Sequence, residues 1–151
     1  FHLNYAQDFD FGQLSAGISG TKATKSQTNF GTFVNQLGLG SAEFTASTNL
    51  GFRSGGFSSR MTINYTGKYR DPNATNKGVV GTVVNPFTVV NVALGYEFGE
   101  DGALGGTSLR FGVDNFFEQK PQVILRSTPN FISYAGYTMG RVFKFGVSKK
   151  F

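Results

Sequence analysis

His2 is the single imidazole in the 151 residues, and there is no cysteine. Zinc centres draw most of their ligands from His and Cys side chains, so one built within this chain is excluded. A Ser-His-Asp triad would have to use His2, at the very terminus, where little fixes a ring against a serine. Gly38-Leu39-Gly40 lacks the third glycine and the strand-to-helix setting of a dinucleotide-binding turn, and reads as a loop. Asp71, Glu100 and Asp101 fall in predicted links without the acidic spacing of a calcium loop. No catalytic residue, metal ligand or cofactor is therefore expected. What remains is a set of arginines, Arg53, Arg60, Arg70 and Arg110, expected on a polar face or at strand ends. There they can solvate a water-filled interior, pair with something inside it, or tune selectivity.

The elements that carry these residues are strands. From Phe57 to Tyr69 the odd positions are Phe57, Ser59, Met61, Ile63, Tyr65, Gly67 and Tyr69, and the even ones Ser58, Arg60, Thr62, Asn64, Thr66 and Lys68. One face is mainly apolar and the other polar, the period of a strand between two environments. The same alternation runs through Leu14-Ala16-Ile18, Phe44-Ala46-Thr48-Leu50-Phe52, Val90-Val92-Leu94-Tyr96-Phe98, Leu109-Phe111-Val113 and Phe143-Phe145-Val147. About seven strands are predicted, at 1–7, 13–28, 42–53, 57–70, 87–99, 107–117 and 137–151. The links 8–12, 54–56 and 100–106 are short or moderate, whereas 29–41, 71–86 and 118–136 are long.

A soluble sandwich also alternates, with its apolar faces turned inward. Three features favour a membrane barrel. Runs of this length exceed the usual soluble strand of about 5–6 residues and suit a tilted membrane strand of about 9–11. Aromatics on the apolar faces collect at strand ends (Phe44 and Phe52; Phe57 with Tyr65 and Tyr69; Phe87 and Phe98; Tyr137 and Phe151), as in the girdles of outer-membrane barrels. The alternation of short and long links matches short periplasmic turns and long extracellular loops.

Composition agrees. Charged residues are 15% of the chain against 17 Phe and 21 Gly, below the roughly 25% charge of soluble domains. No apolar run approaches the ~18 residues of a membrane helix: Val79 to Tyr96 is interrupted by Gly81, Asn85, Pro86 and Asn91. The net charge of +5 is scattered rather than gathered into a stripe, which argues against nucleic acid as partner.

The last part of the chain carries a more specific pattern. Leu109-Arg110-Phe111-Gly112-Val113-Asp114-Asn115-Phe116-Phe117, followed by Glu118-Gln119-Lys120-Pro121, resembles the Asn-Leu-Phe-Asp-x-x-Pro element of TonB-dependent outer-membrane receptors. Gly140-Arg141 and the alternating run to Phe151 resemble that family's ending, apart from Lys149, which stands where an apolar residue is usual. The motif residues are Asn115, Phe116, Phe117, Pro121, Gly140, Arg141 and Phe151. The resemblance implies a barrel of about 22 strands, an N-terminal plug, and a segment engaging the TonB energy-coupling protein.

The expectation is thus an all-β, antiparallel transmembrane β-barrel fragment: residues 1–151 as the C-terminal part of a barrel domain whose plug is absent from this chain. An odd strand count and an abrupt start at Phe1 both read as part of something larger. The chain would be the wall of a receptor in a bacterial outer membrane, with loops extracellular and the C-terminus periplasmic. It would take up a metal chelate, vitamin or glycan without catalysis. Its partners would be outer-membrane lipid, the remaining strands and plug of the parent, TonB through the missing N-terminal part, and the barrel-assembly machinery. Ligand contacts are expected from the long loops, at Phe33, Asn35, Asn76, Lys77, Arg126, Phe131 and Tyr134, because long loops on a rigid scaffold are where binding groups concentrate. The alternatives are a passive porin-type barrel and a soluble β-sandwich binding module.

Overall fold

A computed structural model describes residues 1–25, 27–29, 33–35, 37–76, 79–124, 131–132 and 137–150, with side chains described outside 26–36, 72–81, 125–136 and 151. Thirteen strands follow one another: β1 His2–Phe9, β2 Gly12–Lys22, β3 Gln27–Asn29, β4 Phe33–Asn35, β5 Phe44–Ser54, β6 Phe57–Thr66, β7 Tyr69–Asn76, β8 Val79–Val84, β9 Phe87–Glu97, β10 Thr107–Asp114, β11 Val123–Ile124, β12 Phe131–Ile132 and β13 Val142–Lys149. Seven of them make one antiparallel sheet in the order β1-β2-β5-β6-β9-β10-β13. The other six pair off as three small hairpins, β3–β4, β7–β8 and β11–β12, one inside each long link. There is no α-helix among the described residues. The sheet is open: β1 and β13 are its edges and do not pair with each other.

The register keeps every apolar run on the same side. Tyr5 pairs with Ala16, Ala16 with Leu50, Leu50 with Met61 and Met61 with Val92. Val92 then pairs with Val113, and Val113 with Phe143. Directly opposed residues of neighbouring strands point the same way, so one face collects Leu3, Tyr5, Leu14, Ile18, Leu50, Leu94, Phe111, Phe145 and Val147. The opposite face collects Asn4, Ser15, Asn49, Arg60, Thr62, Asn91, Arg110 and Lys144. A slip of one residue in any ladder would exchange the faces of everything beyond it.

No second layer covers the apolar face among the described residues. Leu3 is 66% exposed, Phe145 74% and Val147 58%. Among the described residues the buried apolar side chains are Val84, Phe87, Val89, Val113 and Ile124. Val84, Ile124 and the ring of Tyr69 form a small cluster where the β7–β8 hairpin meets the link after β10. Gln122 ties the same two segments: its Oε1 accepts from the Asn85 amide at 2.9 Å and its Nε2 donates to the Val83 carbonyl at 3.3 Å. Segment 38–40 joins on the other side, since the Gly40 amide donates to the Arg70 carbonyl and the Arg70 amide to that of Gly38.

Three expectations change here. The predicted strand 57–70 is two elements: the sheet strand ends at Thr66, and Tyr69 begins β7. Tyr69 and Arg70 therefore leave the sheet, and Tyr69 packs in the hairpin cluster instead of on the apolar face. Phe87 pairs with Thr66, which puts it on the polar side, where it is buried and its ring lies tilted 5.5 Å from that of Tyr137. The long links contain paired strands rather than open loop. Period-two patterns cannot report these breaks, because a hairpin that leaves the sheet keeps the same alternation.

At the end with the short links, rings follow one another across the strands. Phe9 stacks on Phe11 at 5.1 Å, Phe11 lies 6.3 Å from Phe52, and Phe52 6.2 Å from Phe57. Phe57 is paired with Tyr96, whose ring meets Phe98 edge-on at 4.9 Å. Contacts of this geometry contribute about 0.5–1.5 kcal/mol each beyond area burial. At the other end Phe44 and Tyr65 lie 5.9 Å apart.

The β5–β6 turn depends on Gly55, whose φ is +52°. Two-residue hairpins need such backbone to match the strand twist. A Cβ there would meet nothing within 4 Å, so backbone conformation alone selects glycine. Gly55→Val should cost about 1–2 kcal/mol, and Gly55→Asn much less, in equilibrium urea unfolding. Equal stability of all three would show that this turn does not hold the positive φ.

Candidate functional site

Two regions bring chemistry-bearing residues together: the corner built by the Asn-Phe-Phe and Gly-Arg motifs, and the polar face of the sheet.

The corner follows β10. Asn115 adopts a left-handed backbone (φ +52°) and is 1% exposed. Asn is among the few residues that visit this region readily. Its amide donates to Oδ1 of Asn91 at 2.9 Å. Its side chain closes a ring with Gln119, with Nδ2 donating to the Gln119 carbonyl at 2.9 Å and Oδ1 accepting from the Gln119 amide at 2.8 Å. Both ends of the carboxamide are thereby satisfied inside the turn, as burial demands. Glu118, also left-handed (φ +54°), reaches Arg141 at 3.9 Å. Gly140, with φ +73°, sits beside the Glu118 side chain. The two motifs, distant in sequence, thus meet through Glu118, which the sequence pattern contained but gave no role. Pro121 is half-buried between the Asn115 ring and Gln122. Phe116 and Phe117 are 43% and 64% exposed and meet edge-on at 5.2 Å.

Of the expected ligand-loop residues, Phe33 and Asn35 belong to β4, Asn76 to β7 and Phe131 to β12. Their backbones pair with Asn29, Gln27, Val79 and Ile124 respectively. Their side chains, and Lys77, Arg126, Tyr134 and Phe151 altogether, lie outside the described residues. Lys149 donates to the Ala103 carbonyl at 3.1 Å, so its ammonium sits on the backbone of the 98–106 link rather than over the apolar face.

On the polar face, most side chains pair across strands. Ser47 donates to Asn64 Oδ1 at 2.9 Å and Thr62 to Asn49 Oδ1 at 2.9 Å. Ser108 and Ser148 share a bond of 2.7 Å, Gln13 donates to Asp8 at 2.8 Å, and Lys144 pairs with Asp114. Arg53, Arg60 and Arg110 differ. They line one depression with Gln13, Ser15, Gly51, Ser58, Ala93 and Gly95. Arg70, expected like them on a polar face or at a strand end, lies outside the sheet, on β7. Among the described residues no cluster of His, Asp and Glu is fit to hold a metal ion.

Asn115→Ala should remove two side-chain hydrogen bonds and put a Cβ residue without a local bond into left-handed backbone. The expected loss is about 2–4 kcal/mol, read by thermal unfolding, with Asn115→Asp losing less because its oxygens still accept from the Gln119 amide. An Ala variant as stable as the parent would show the ring to be incidental.

No family model, curated protein or solved structure matches the chain, so a functional reading stands on the residues and geometry above.

Proposed function

We propose that the chain is part of the wall of an outer-membrane β-barrel, with its apolar face toward lipid and its polar face toward a water-filled lumen. The observation that carries this reading is the broad apolar face with exposed side chains on six of the seven strands, Leu3 at one edge to Val147 at the other, and half-buried ones on β6. Water-soluble monomers seldom leave a contiguous apolar patch beyond a few hundred Å². A single-layer sheet can bear one only if something apolar covers it, and lipid does so for barrels. The row of rings at the short-link end suits the headgroup level of a bilayer.

In this reading β1 and β13 pair with further strands of the parent barrel, because a bilayer leaves no water for unpaired edge amides and carbonyls. The links carrying hairpins are extracellular and the short ones periplasmic. The finer assignment is an energy-coupled, TonB-dependent receptor for a metal chelate, vitamin or glycan. It draws its support from the motif residues Asn115, Phe116, Phe117, Pro121, Gly140 and Arg141, whose corner is built as one unit. The intact mass and N-terminal sequence of the protein in outer-membrane extracts separate the receptor from a passive porin. A far longer chain opening on a plug-like domain supports the receptor; a mature chain of about this length sinks it.

The wall itself is tested by alternation. The chain has no cysteine, so single cysteines at 143, 144, 145 and 146 can each carry a nitroxide in the membrane-embedded protein. Phe143→Cys and Phe145→Cys should favour contact with oxygen, which partitions into lipid. Lys144→Cys and Gly146→Cys should favour a water-soluble nickel chelate. A profile without alternation, or all four sites open to the chelate, would remove the membrane reading.

A further inference from the structure

Two of the three arginines on the polar face, Arg60 and Arg110, are set among the smallest neighbours the sheet offers. Arg60 pairs with Gly51 on one side and Ala93 on the other. Arg110 pairs with Gly95 and Gly146. Arg53 pairs with Gln13 and Ser58. The nearby hydroxyls turn down to the backbone, Ser15 toward the Gly51 carbonyl and Ser58 toward that of Gly95, both at 3.5 Å.

Nothing described satisfies the three guanidiniums: none makes a hydrogen bond or ion pair with a described residue. Glu97, diagonal to Arg110 and opposite Ser108, makes no ion pair with it, and Asp8, in the register row of Arg53, is taken up by the intervening Gln13. Elsewhere the same face pairs its charge, as Lys144 does with Asp114. The glycines are informative in their own right. A glycine inside a strand weakens it by about 0.5–1 kcal/mol relative to Ala, and such positions often mark where a ligand or another backbone comes close. At Gly51 and Gly95 the missing Cβ makes room for the Ser15 and Ser58 hydroxyls, and Gly146 lies against the Arg110 side chain.

Arg60 and Arg110 stand two strand spacings apart, roughly 10 Å, with Arg53 one strand beyond Arg60. Each guanidinium offers a fork of donors matched to a carboxylate or phosphate. Three forks over one depression suit a molecule bearing several such groups better than a single-charge anion.

We propose that Arg53, Arg60 and Arg110 form a binding site for a small polyanionic solute bearing two or more carboxylate or phosphate groups. The site requires only that the polar face meet water, so it stands apart from the lipid reading. Solubility with and without detergent reports on that reading separately.

The test is calorimetric titration of the purified, folded protein with citrate, inorganic phosphate, acetate and hexaglutamate. Citrate should bind saturably, more tightly than phosphate or acetate, and more weakly as salt screens the charges. The triple variant Arg53→Gln/Arg60→Gln/Arg110→Gln should weaken citrate by about tenfold or more. Arg60→Lys alone, which keeps the charge but loses the fork, should fall between parent and triple variant. Lys144→Gln, elsewhere on the face, should leave citrate binding within about twofold. Circular dichroism of each variant verifies that it is folded, and the exposed position of all three arginines favours that outcome. No saturable citrate binding, citrate binding unchanged in the triple variant, or binding of hexaglutamate alone would each overturn the proposal. The last would point to an acidic polypeptide as the occupant.

Discussion

The antiparallel ladder is the interaction on which everything else depends. In a single layer with so few buried apolar side chains, strand-to-strand hydrogen bonds and cross-strand side-chain pairs carry most of the order. The six ladders hold one parity from Tyr5 through to Phe143. That coherence sorts the whole surface into one apolar and one polar face, and either face would lose its meaning if a single ladder slipped. The tight turns at Asp10-Phe11 and Gly55-Gly56 fix two of those registers directly.

The two faces solve different problems. The apolar face is left uncovered by the described residues, and aromatic rings edge it at the short-link end. The polar face is largely self-sufficient, because its serines, threonines and asparagines pair across strands. Against that background the arginine group is an exception in both charge and setting. Exposed polar residues need no partner in the protein, but three unpaired guanidiniums lining one depression are an arrangement with room for one.

The long-link end is organised differently. Here small contacts join segments distant in sequence: 38–40 to β7, β8 to Gln122, and Glu118 to Arg141. Asn115 anchors this end, since its side chain closes the turn and its amide is held by Asn91 of the neighbouring strand. Asn115, Glu118, Gly140 and Arg141 thus have a structural duty of their own, which holds whatever the chain's function.

The sequence by itself determined the strands of the sheet, their two-faced character and the alternation of short and long links. Each of these is local: side-chain direction reverses at every residue of a strand, so Met61, Ile63 and Tyr65 declare one face without reference to any neighbour. Asn115 and Gly140 stood out only through the motif they resemble; that both take positive φ came from the structure. Only the tertiary structure decided where the sheet ends and the hairpins begin, because alternation continues unchanged from Ile63 into β7. Only pairing across strands could show Phe87 on the polar side, Glu118 against Arg141, and Arg53, Arg60 and Arg110 gathered over one floor. Those residues come from β5, β6 and β10, and nothing in a one-dimensional pattern says which strands are neighbours or which residues of each stand opposite.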